Sequence, residues 1–369
     1  MQIAIDASRY ANNKETGVEH YGKMIIDGIL EESADDKSCE ILLYSKEPLD
    51  IKQTKHLKNK VLKSKRLWTV FRLSLSMLFK KPEILFVPSH VLPFFAPKKS
   101  VITIHDVAFK QLRIAYSFFQ YHYLNFTTKY AVKKAAKIIV PSEATKLDLM
   151  KYFNCPEEKI VIIHHGFLTP KVRRLKDPFV DMQIFKYFGI SKETPYFLFI
   201  GRLETKKNLE RLIKAFAKVI DVQSEYKLVL AGEKGVGFDQ IYNTVKELNL
   251  EGKVIMPGYV TVDEKHALLE YCQAFAFISL YEGFGFPGLE AFYFKKPVLA
   301  SSTTALMEIY GDGAYFVDPL DVQSIEMGLL KLISDKAFVD NLVEIGKEKL
   351  KDYSWKSCSK ETFALLKNL

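Results

Sequence analysis

Glu282 and Glu290 stand eight positions apart and frame the run Gly283-Phe-Gly-Phe-Pro-Gly-Leu289. Carboxylates accept hydrogen bonds, so the pair suits a ligand with many hydroxyls, such as a sugar and a ribose. The apolar run Ala274–Leu280 before it and the segment Ala291–Lys296 after it predict strand, tight loop, helix. Pro287 fits the first helical turn, where its missing N–H is no loss, and Glu290 falls in that same turn. Lys295 and Lys296 fit the last turn, where the helix dipole favours cations. The amides around Phe284, Gly285 and Phe286 are then free at a positive helix N-terminus, a natural seat for phosphate.

Fixed positive charge sits on Gly201-Arg-Leu-Glu-Thr-Lys-Lys-Asn208. Arg202 offers a planar fork and Lys207 a compact charge, so the two could close on a diphosphate from different directions. Lys206 is the less favoured of the two lysines. Gly201 permits close approach, and Asn208 can begin the next helix. Ile104-His105-Asp106 ends another apolar run, and His105 there can offer a neutral nitrogen or a proton near neutral pH. Asp106 suits the holding of a loop. Gly17 opens a helix from about Val18 and lets backbone approach a ligand. Tyr259 and Val260 could line a base pocket, although core packing explains them nearly as well. Taken singly, each residue also fits a plain turn or a structural hydrogen bond.

The elements that must position them recur regularly. Short apolar runs predict strands at Gln2–Ala7, Glu40–Tyr44, Ile84–Val87, Val101–Ile104, Lys137–Val140 and Val161–His164. A second set follows at Tyr196–Ile200, Lys227–Ala231, Lys253–Met256, Ala274–Leu280, Pro297–Ala300 and Tyr315–Val317. Segments with helical spacing separate them, and near-continuous Val, Ile, Leu and Phe suits parallel strands covered on both faces. The expected fold class is α/β, as two doubly wound, Rossmann-like parallel-sheet domains. The expected domains are 1–170 and 195–343, with a linker over 171–194 and a terminal helix within 344–369. The candidate residues fall beyond the carboxyl ends of these strands, where open α/β sheets bind ligands.

Composition narrows the function. At 369 residues, two cores are expected. No apolar run reaches the ~18 residues that span a bilayer, and no signal peptide opens the chain, so a cytoplasmic location is expected. Cys39, Cys155, Cys272 and Cys358 are scattered and suit buried small hydrophobes. His164 and His165 point to opposite faces of a strand, and no third ligand has suitable spacing, so no metal is expected. Ser142 reads as a helix cap. The net charge of +9 is local: residues 51–82 hold ten Lys or Arg and no acid. That argues for one positive patch and against a nucleic-acid partner.

These motifs together resemble the retaining glycosyltransferases of family four, which carry an E-x₇-E signature on a GT-B fold of two domains facing a cleft. The resemblance runs over essentially the whole chain. It implies a C-terminal domain that binds a nucleotide sugar and an N-terminal domain that binds the acceptor, with the terminal helix packing back on the latter. It also implies that Arg202 and Lys207 bind donor phosphates, Glu290 the ribose, Glu282 and His105 the sugar, and Gly17 the phosphate side. The base would lie beside Tyr259 and Val260, and no metal or other cofactor would be needed. The expected reaction moves a hexose from a UDP- or GDP-linked donor to a glycan or lipid-linked acceptor in surface polysaccharide assembly. Here the glycine loop at Gly17 has one glycine where many members have two. A non-catalytic sugar-nucleotide-binding subunit or a GT-B epimerase remains the alternative. A dinucleotide oxidoreductase is disfavoured, because no strand is followed by Gly-x-Gly-x-x-Gly.

The basic segment prompts one more expectation. Leu67, Trp68, Phe71, Leu75, Leu78 and Phe79 share one helical face, which is expected to pack as core. The lysines upstream have no such account, so residues 51–82 are a candidate contact with an anionic membrane, at its inner face.

Overall fold

A computed structural model of the chain describes residues 1–10, 17–64, 68–167, 185–186 and 188–369. The expected linker over 171–194, with its basic run, lies largely outside the described residues, as do the polar loop before Gly17 and Leu67.

The chain divides into two compact units. The first comprises Met1–Lys110, Ser117–Leu168 and Tyr353–Leu369, and the second Gln111–Tyr116 and Thr169–Asp352. In the first unit the strands are β1 (Gln2–Asp6), β2 (Glu40–Ser45), β3 (Leu57–Val61), β4 (Ile84–Val87), β5 (Lys99–Thr103), β6 (Lys137–Val140) and β7 (Ile160–Ile162). Its helices are α1 (Gly17–Ser33), α2 (Ser74–Phe79), α3 (Ala108–Gln111), α4 (Phe118–Lys134) and α5 (Glu143–Phe153). All pairings are parallel, in the order β3-β2-β1-β4-β5-β6-β7. In the second unit β8 (Tyr196–Ile200), β9 (Lys227–Ala231), β10 (Val254–Gly258), β11 (Ala274–Phe277), β12 (Val298–Ser301) and β13 (Ala314–Val317) form a parallel sheet. Their order is β10-β9-β8-β11-β12-β13. Helices α6 (Leu209–Ile220), α7 (Phe238–Glu247), α8 (Val262–Tyr271), α9 (Phe286–Tyr293), α10 (Thr304–Tyr310), α11 (Val322–Ser334) and α12 (Lys336–Lys349) alternate with those strands.

Every expected strand is present within a few residues. β11 is shorter than expected, ending at Phe277, so Ile278–Leu280 already belong to the functional loop. The central strands bury every side chain: Ile3–Asp6, Ile84–Val87 and Tyr196–Phe199 are sealed. That is the double coverage their apolar sequences require.

Strand β3, Leu-Lys-Asn-Lys-Val, escapes its sequence. Two lysines and an asparagine in five residues do not read as a strand, yet it pairs in register along β2. Edge strands are often marked by lysine, which discourages pairing with another chain. Lys58 forms an ion pair with Glu40 (2.7 Å), and Lys60 lies over the Tyr44 ring. Those two cations therefore have a structural role within the sheet.

The expected apolar face of residues 67–79 is also corrected. Trp68–Leu73 forms a π-helical turn before α2. A π turn takes one extra residue, which rotates everything beyond it. Trp68, Leu73 and Met77 go inward, whereas Phe71, Leu75, Leu78 and Phe79 are exposed. Of the face expected to be core, Trp68 is buried, whereas Phe71, Leu75, Leu78 and Phe79 face solvent.

The terminal segment returns to the first unit at Tyr353, after α12, which stays with the second. Phe167 N donates to Tyr353 O (3.0 Å), and α13 (Trp355–Lys367) packs along α1. The approach is close enough that a Cβ on Gly28 would lie 2.4 Å from Ser359 Oγ. Gly28→Val should therefore loosen α13 and lower the urea midpoint, costing about 1–3 kcal/mol through overpacking. An unchanged midpoint would mean that the two helices adjust freely.

Candidate functional site

In the second unit, β8 lies at the centre of the sheet, with β9 on one side and β11 on the other. Chain direction around the sheet reverses there, which opens a crevice beyond the strands' carboxyl ends. The loops after β8 and β11 enter it together. Lys207 Nζ meets Glu282 Oε1 at 2.5 Å, with both side chains nearly buried. Burial alone would push the Glu282 carboxyl up. Lys207 and Lys206 beside it outweigh that effect and hold it below the ordinary glutamate value. The carboxylate is thus ionised, and the lysine also lies over the Phe277 ring at 5.1 Å.

Asn208 fixes this arrangement, although not as expected. It makes no side-chain cap to α6. Its backbone is left-handed and its side chain is buried. Nδ2 donates to Ile278 O (3.2 Å) and Pro319 O (2.6 Å), while Oδ1 accepts from Arg211 (2.9 Å). The residue after Lys207 is therefore bolted to the loop that carries Glu282. Arg202, by contrast, is exposed and has no ion pair among the described residues. Gly201 lies against the neighbouring loop: Gly232 has φ near +151°, and a Cβ there would stand 1.8 Å from Gly201 O.

After β11 the chain runs through Phe284, which is buried 5.1 Å from the Phe286 ring, into α9 with Pro287 near its start. Gly285 begins α9 with φ near +108°, where a side chain would be strained. The loop is braced by buried Tyr310, whose hydroxyl donates to Gly285 O (2.6 Å) and accepts from Gly288 N (3.2 Å). Glu290 lies one turn into α9, later than expected, where Oε1 pairs with Lys265 Nζ on α8 at 2.5 Å. Helix α9 ends at Tyr293, so Lys295 and Lys296 lie beyond its last turn, and Lys295 is left-handed. Tyr259 is 72% exposed and Val260 is buried, both just past β10.

In the first unit, Gly17 is the exposed first residue of α1. His105 follows β5 and touches two groups. Its Nε2 lies 3.3 Å from Pro88 O and its Nδ1 3.2 Å from His165 Nε2. A carbonyl only accepts, so Nε2 carries the proton, and Nδ1 accepts from His165. Burial, with His90 nearby, lowers the His105 pKa to about 3. The expected ability to supply a proton near neutral pH is therefore not built in; the ring is neutral. Tyr21 packs edge-on against His105 and binds Thr103 through its hydroxyl (3.0 Å). Asp106 accepts from Ala108 N (3.0 Å) and holds the loop as expected, and Ser142 caps α5. His164 binds Pro141 O (2.9 Å), so the adjacent histidines do face apart. All four cysteines are buried and free.

Two family models match the chain: "Glycosyltransferase Family 4" over residues 44–169 and "Glycosyl transferases group 1" over residues 181–349. The chain belongs to the group 1 and family 4 glycosyltransferases. O-antigen chain mannosyltransferase B of Escherichia coli is 26% identical over 75% of this chain and 73% of that protein. An uncharacterized glycosyltransferase of Methanocaldococcus jannaschii is 29% identical over 67% and 63%. Among solved structures, sucrose-phosphate synthase of Thermosynechococcus elongatus has a TM-score of 0.77 at 17% identity, covering 100% of this chain and 98% of that one. Anabaena HepE, solved with UDP and glucose, gives 0.73 at 17% identity over 100% of both chains. The fold is GT-B.

Sequence reading of this glycosyltransferase missed Lys265, Tyr310 and the partnership of His165 with His105. Lys265 lies on a helix between motifs, and Tyr310 sits twenty positions after Glu290 in no pattern. Only the folded chain brings them in.

Two outcomes follow from these contacts. Tyr310→Phe leaves Gly285 O and Gly288 N without their buried partner, so stability should fall by about 1–3 kcal/mol. A urea midpoint equal to the parent's would show that the loop keeps its shape unaided. The buried histidines set a pH dependence. His90, His105 and His165 are all lowered, chiefly by burial, so below about pH 6.5 the unfolded chain binds protons that the native state refuses. Stability should therefore decline as pH falls from about 6.5, by about 1.4 kcal/mol per pH unit for each such histidine. His105→Asn should flatten that slope by one proton, and an identical slope would show that His105 titrates as it does when unfolded.

Proposed function

We propose that this glycosyltransferase moves a hexose, with retention, from a UDP- or GDP-linked donor to a hydroxyl of a glycan or lipid-linked acceptor. The setting is surface polysaccharide assembly, in the cytoplasm or at the inner face of the membrane. The observation that carries the reading is the Lys207–Glu282 pair at the switch point of the second unit. Relatives named for O-antigen mannosyl transfer support the polysaccharide setting.

The chemistry breaks the bond between the sugar's anomeric carbon and the phosphate oxygen, and the electron pair leaves on the diphosphate. Arg202, Lys207 and the amides of Phe284–Phe286 supply positive charge where that negative charge grows. Gly201 gives the diphosphate room. Glu290 accepts from the ribose and Glu282 from sugar hydroxyls, and Lys265 and Lys207 orient the two carboxylates. Pro287 sets the start of α9, while Tyr259 and Val260 flank the base. The acceptor oxygen attacks the same face, and its proton passes to the departing phosphate. The family resemblance assigns Gly17 of the first unit to the donor phosphate and His105, a neutral ring, to the sugar.

No metal takes part in this reading. Transfer should persist in EDTA, and Arg202→Ala should lose most turnover. Glu290→Gln should mainly weaken free nucleoside diphosphate, and Glu282→Gln mainly transfer. Activity abolished by EDTA and restored by manganese would reject the metal-free part. A thermal-shift panel of UDP, GDP and their sugars identifies the donor, since binding raises stability by RT ln(1 + [L]/Kd). No shift with any of them would sink the transferase reading for this chain.

A further inference from the structure

The first unit carries an apolar surface that nothing in the fold covers. Phe79 and Phe119 are each 82% exposed, Phe71 63% and Phe126 56%. Large exposed aromatics grouped together mark a contact surface, whereas single ones do not. These are grouped. Ser74 of α2 accepts from Phe94 N at 2.8 Å, and the Phe94 ring packs edge-on against Phe126 and Tyr130 of α4. The π turn, α2, the Phe94–Phe95 loop and α4 thus form one continuous face. Helix α4 buries side chains fully only from Thr127 onward; in its first half Phe118, Phe119 and Tyr123 are exposed.

The charges around this face have one sign. Between Trp68 and Lys134 the sequence carries ten Lys or Arg and two acids, Glu83 and Asp106. Glu83 pairs with Lys99 (3.8 Å), and Asp106 holds the start of α3. Arg72, Lys80, Lys81, Lys98 and Lys129 are exposed around the aromatics. A second copy of the chain would set these cations against each other, which disfavours self-association. Aromatic side chains rimmed by lysine and arginine match instead the acyl boundary and the phosphates of an anionic bilayer.

The face also borders a built cleft. A hollow of about 290 Å³ opens beyond the carboxyl ends of β1, β2 and β4. Tyr123 of α4 and Thr69 and Val70 of the π turn form part of its wall. Arg9 and Glu19 pair inside it (2.6 Å), and Glu19 Oε2 is buried with no partner among the described residues. A buried carboxylate oxygen in that position suits a hydroxyl donor such as a sugar.

We propose that the face formed by the π turn, α2, the Phe94–Phe95 loop and α4 seats this enzyme on anionic lipid, beside a cleft that receives the hydroxyl-rich head of a membrane-borne acceptor. The lipid contact stands on the surface alone; the role of the cleft rests on the transferase reading. The seat is thus displaced from the lysines of residues 52–60, of which Lys58 and Lys60 serve the sheet edge.

The experiment is sedimentation of the full chain with vesicles of phosphatidylcholine, alone or mixed with phosphatidylglycerol. The parent should bind the mixed vesicles and lose affinity as salt rises. Phe79→Glu combined with Phe119→Glu should reduce binding at least tenfold, and Lys80→Gln with Lys81→Gln by about fivefold per cation. Lys52→Gln with Lys55→Gln should change nothing. Thermal shift with nucleoside diphosphate should be the same in every variant, which separates failure of this inference from failure of the donor reading. Absence of binding to anionic vesicles, equal binding by the aromatic variant, or loss only in the Lys52/Lys55 variant would overturn the assignment. So would a dimer in the parent that the aromatic substitutions dissociate without any effect on vesicles.

Discussion

Parallel strands must be joined by crossovers, and in both sheets the first strand in sequence lies in the interior of the sheet. β1 has β2 on one side and β4 on the other; β8 has β9 and β11. The crossovers therefore leave in opposite directions from one point, and the loops that follow the two central strands are held apart. Two buried or half-buried ion pairs of this chain depend on those two gaps. Lys207 and Glu282 meet in one, and the Arg9–Glu19 pair lies in the other.

A buried ion pair is a poor source of stability, because desolvation offsets most of the attraction. Removing one partner, however, strands a charge and costs about 3–5 kcal/mol. The Lys207–Glu282 and Lys265–Glu290 pairs are better understood as devices of position. Lys207 keeps Glu282 ionised in the crevice, where neutral hydroxyls are the expected guests, and Lys265 holds Glu290 in place. The surroundings match that purpose. Asn208 ties the lysine loop to the carboxylate loop through two carbonyls, and Tyr310 pins the glycines that follow. Loop shape is thus set by side chains from distant segments.

What was legible in the sequence follows from these same constraints. Central strands are apolar on both faces, so their runs stand out, and the polar residues at their ends are visible as interruptions. Edge strand β3 has one covered side only and carries lysines against stray pairing, so it reads as a solvated charged segment. The residues after it were misphased because a helical period of 3.6 was applied through a π turn. No local pattern announces that turn. The contacts of Lys265, Tyr310 and His165 are long-range, and a motif read along the chain has no access to them. His105 was placed correctly as a strand-end residue, but its protonation depends on Pro88 and His165, which approach from other strands.

The excess of positive charge has two physical origins that composition merges into one. Part of it belongs to the sheet edge, where Lys58 and Lys60 are engaged by Glu40 and Tyr44 and keep other strands away. The rest surrounds exposed aromatics on α2, α4 and the loop between β4 and β5, where sheet pairing makes no use of it. Charge without nearby acids raises the local potential, and aromatic rings at the same place give that potential something to hold at short range. Neither feature would act alone: lysines over a polar face attract anions without insertion, and bare phenylalanines invite aggregation. On α2 the coincidence follows the π turn at Trp68–Leu73, beyond which Leu75, Leu78 and Phe79 face solvent in the company of Lys80 and Lys81.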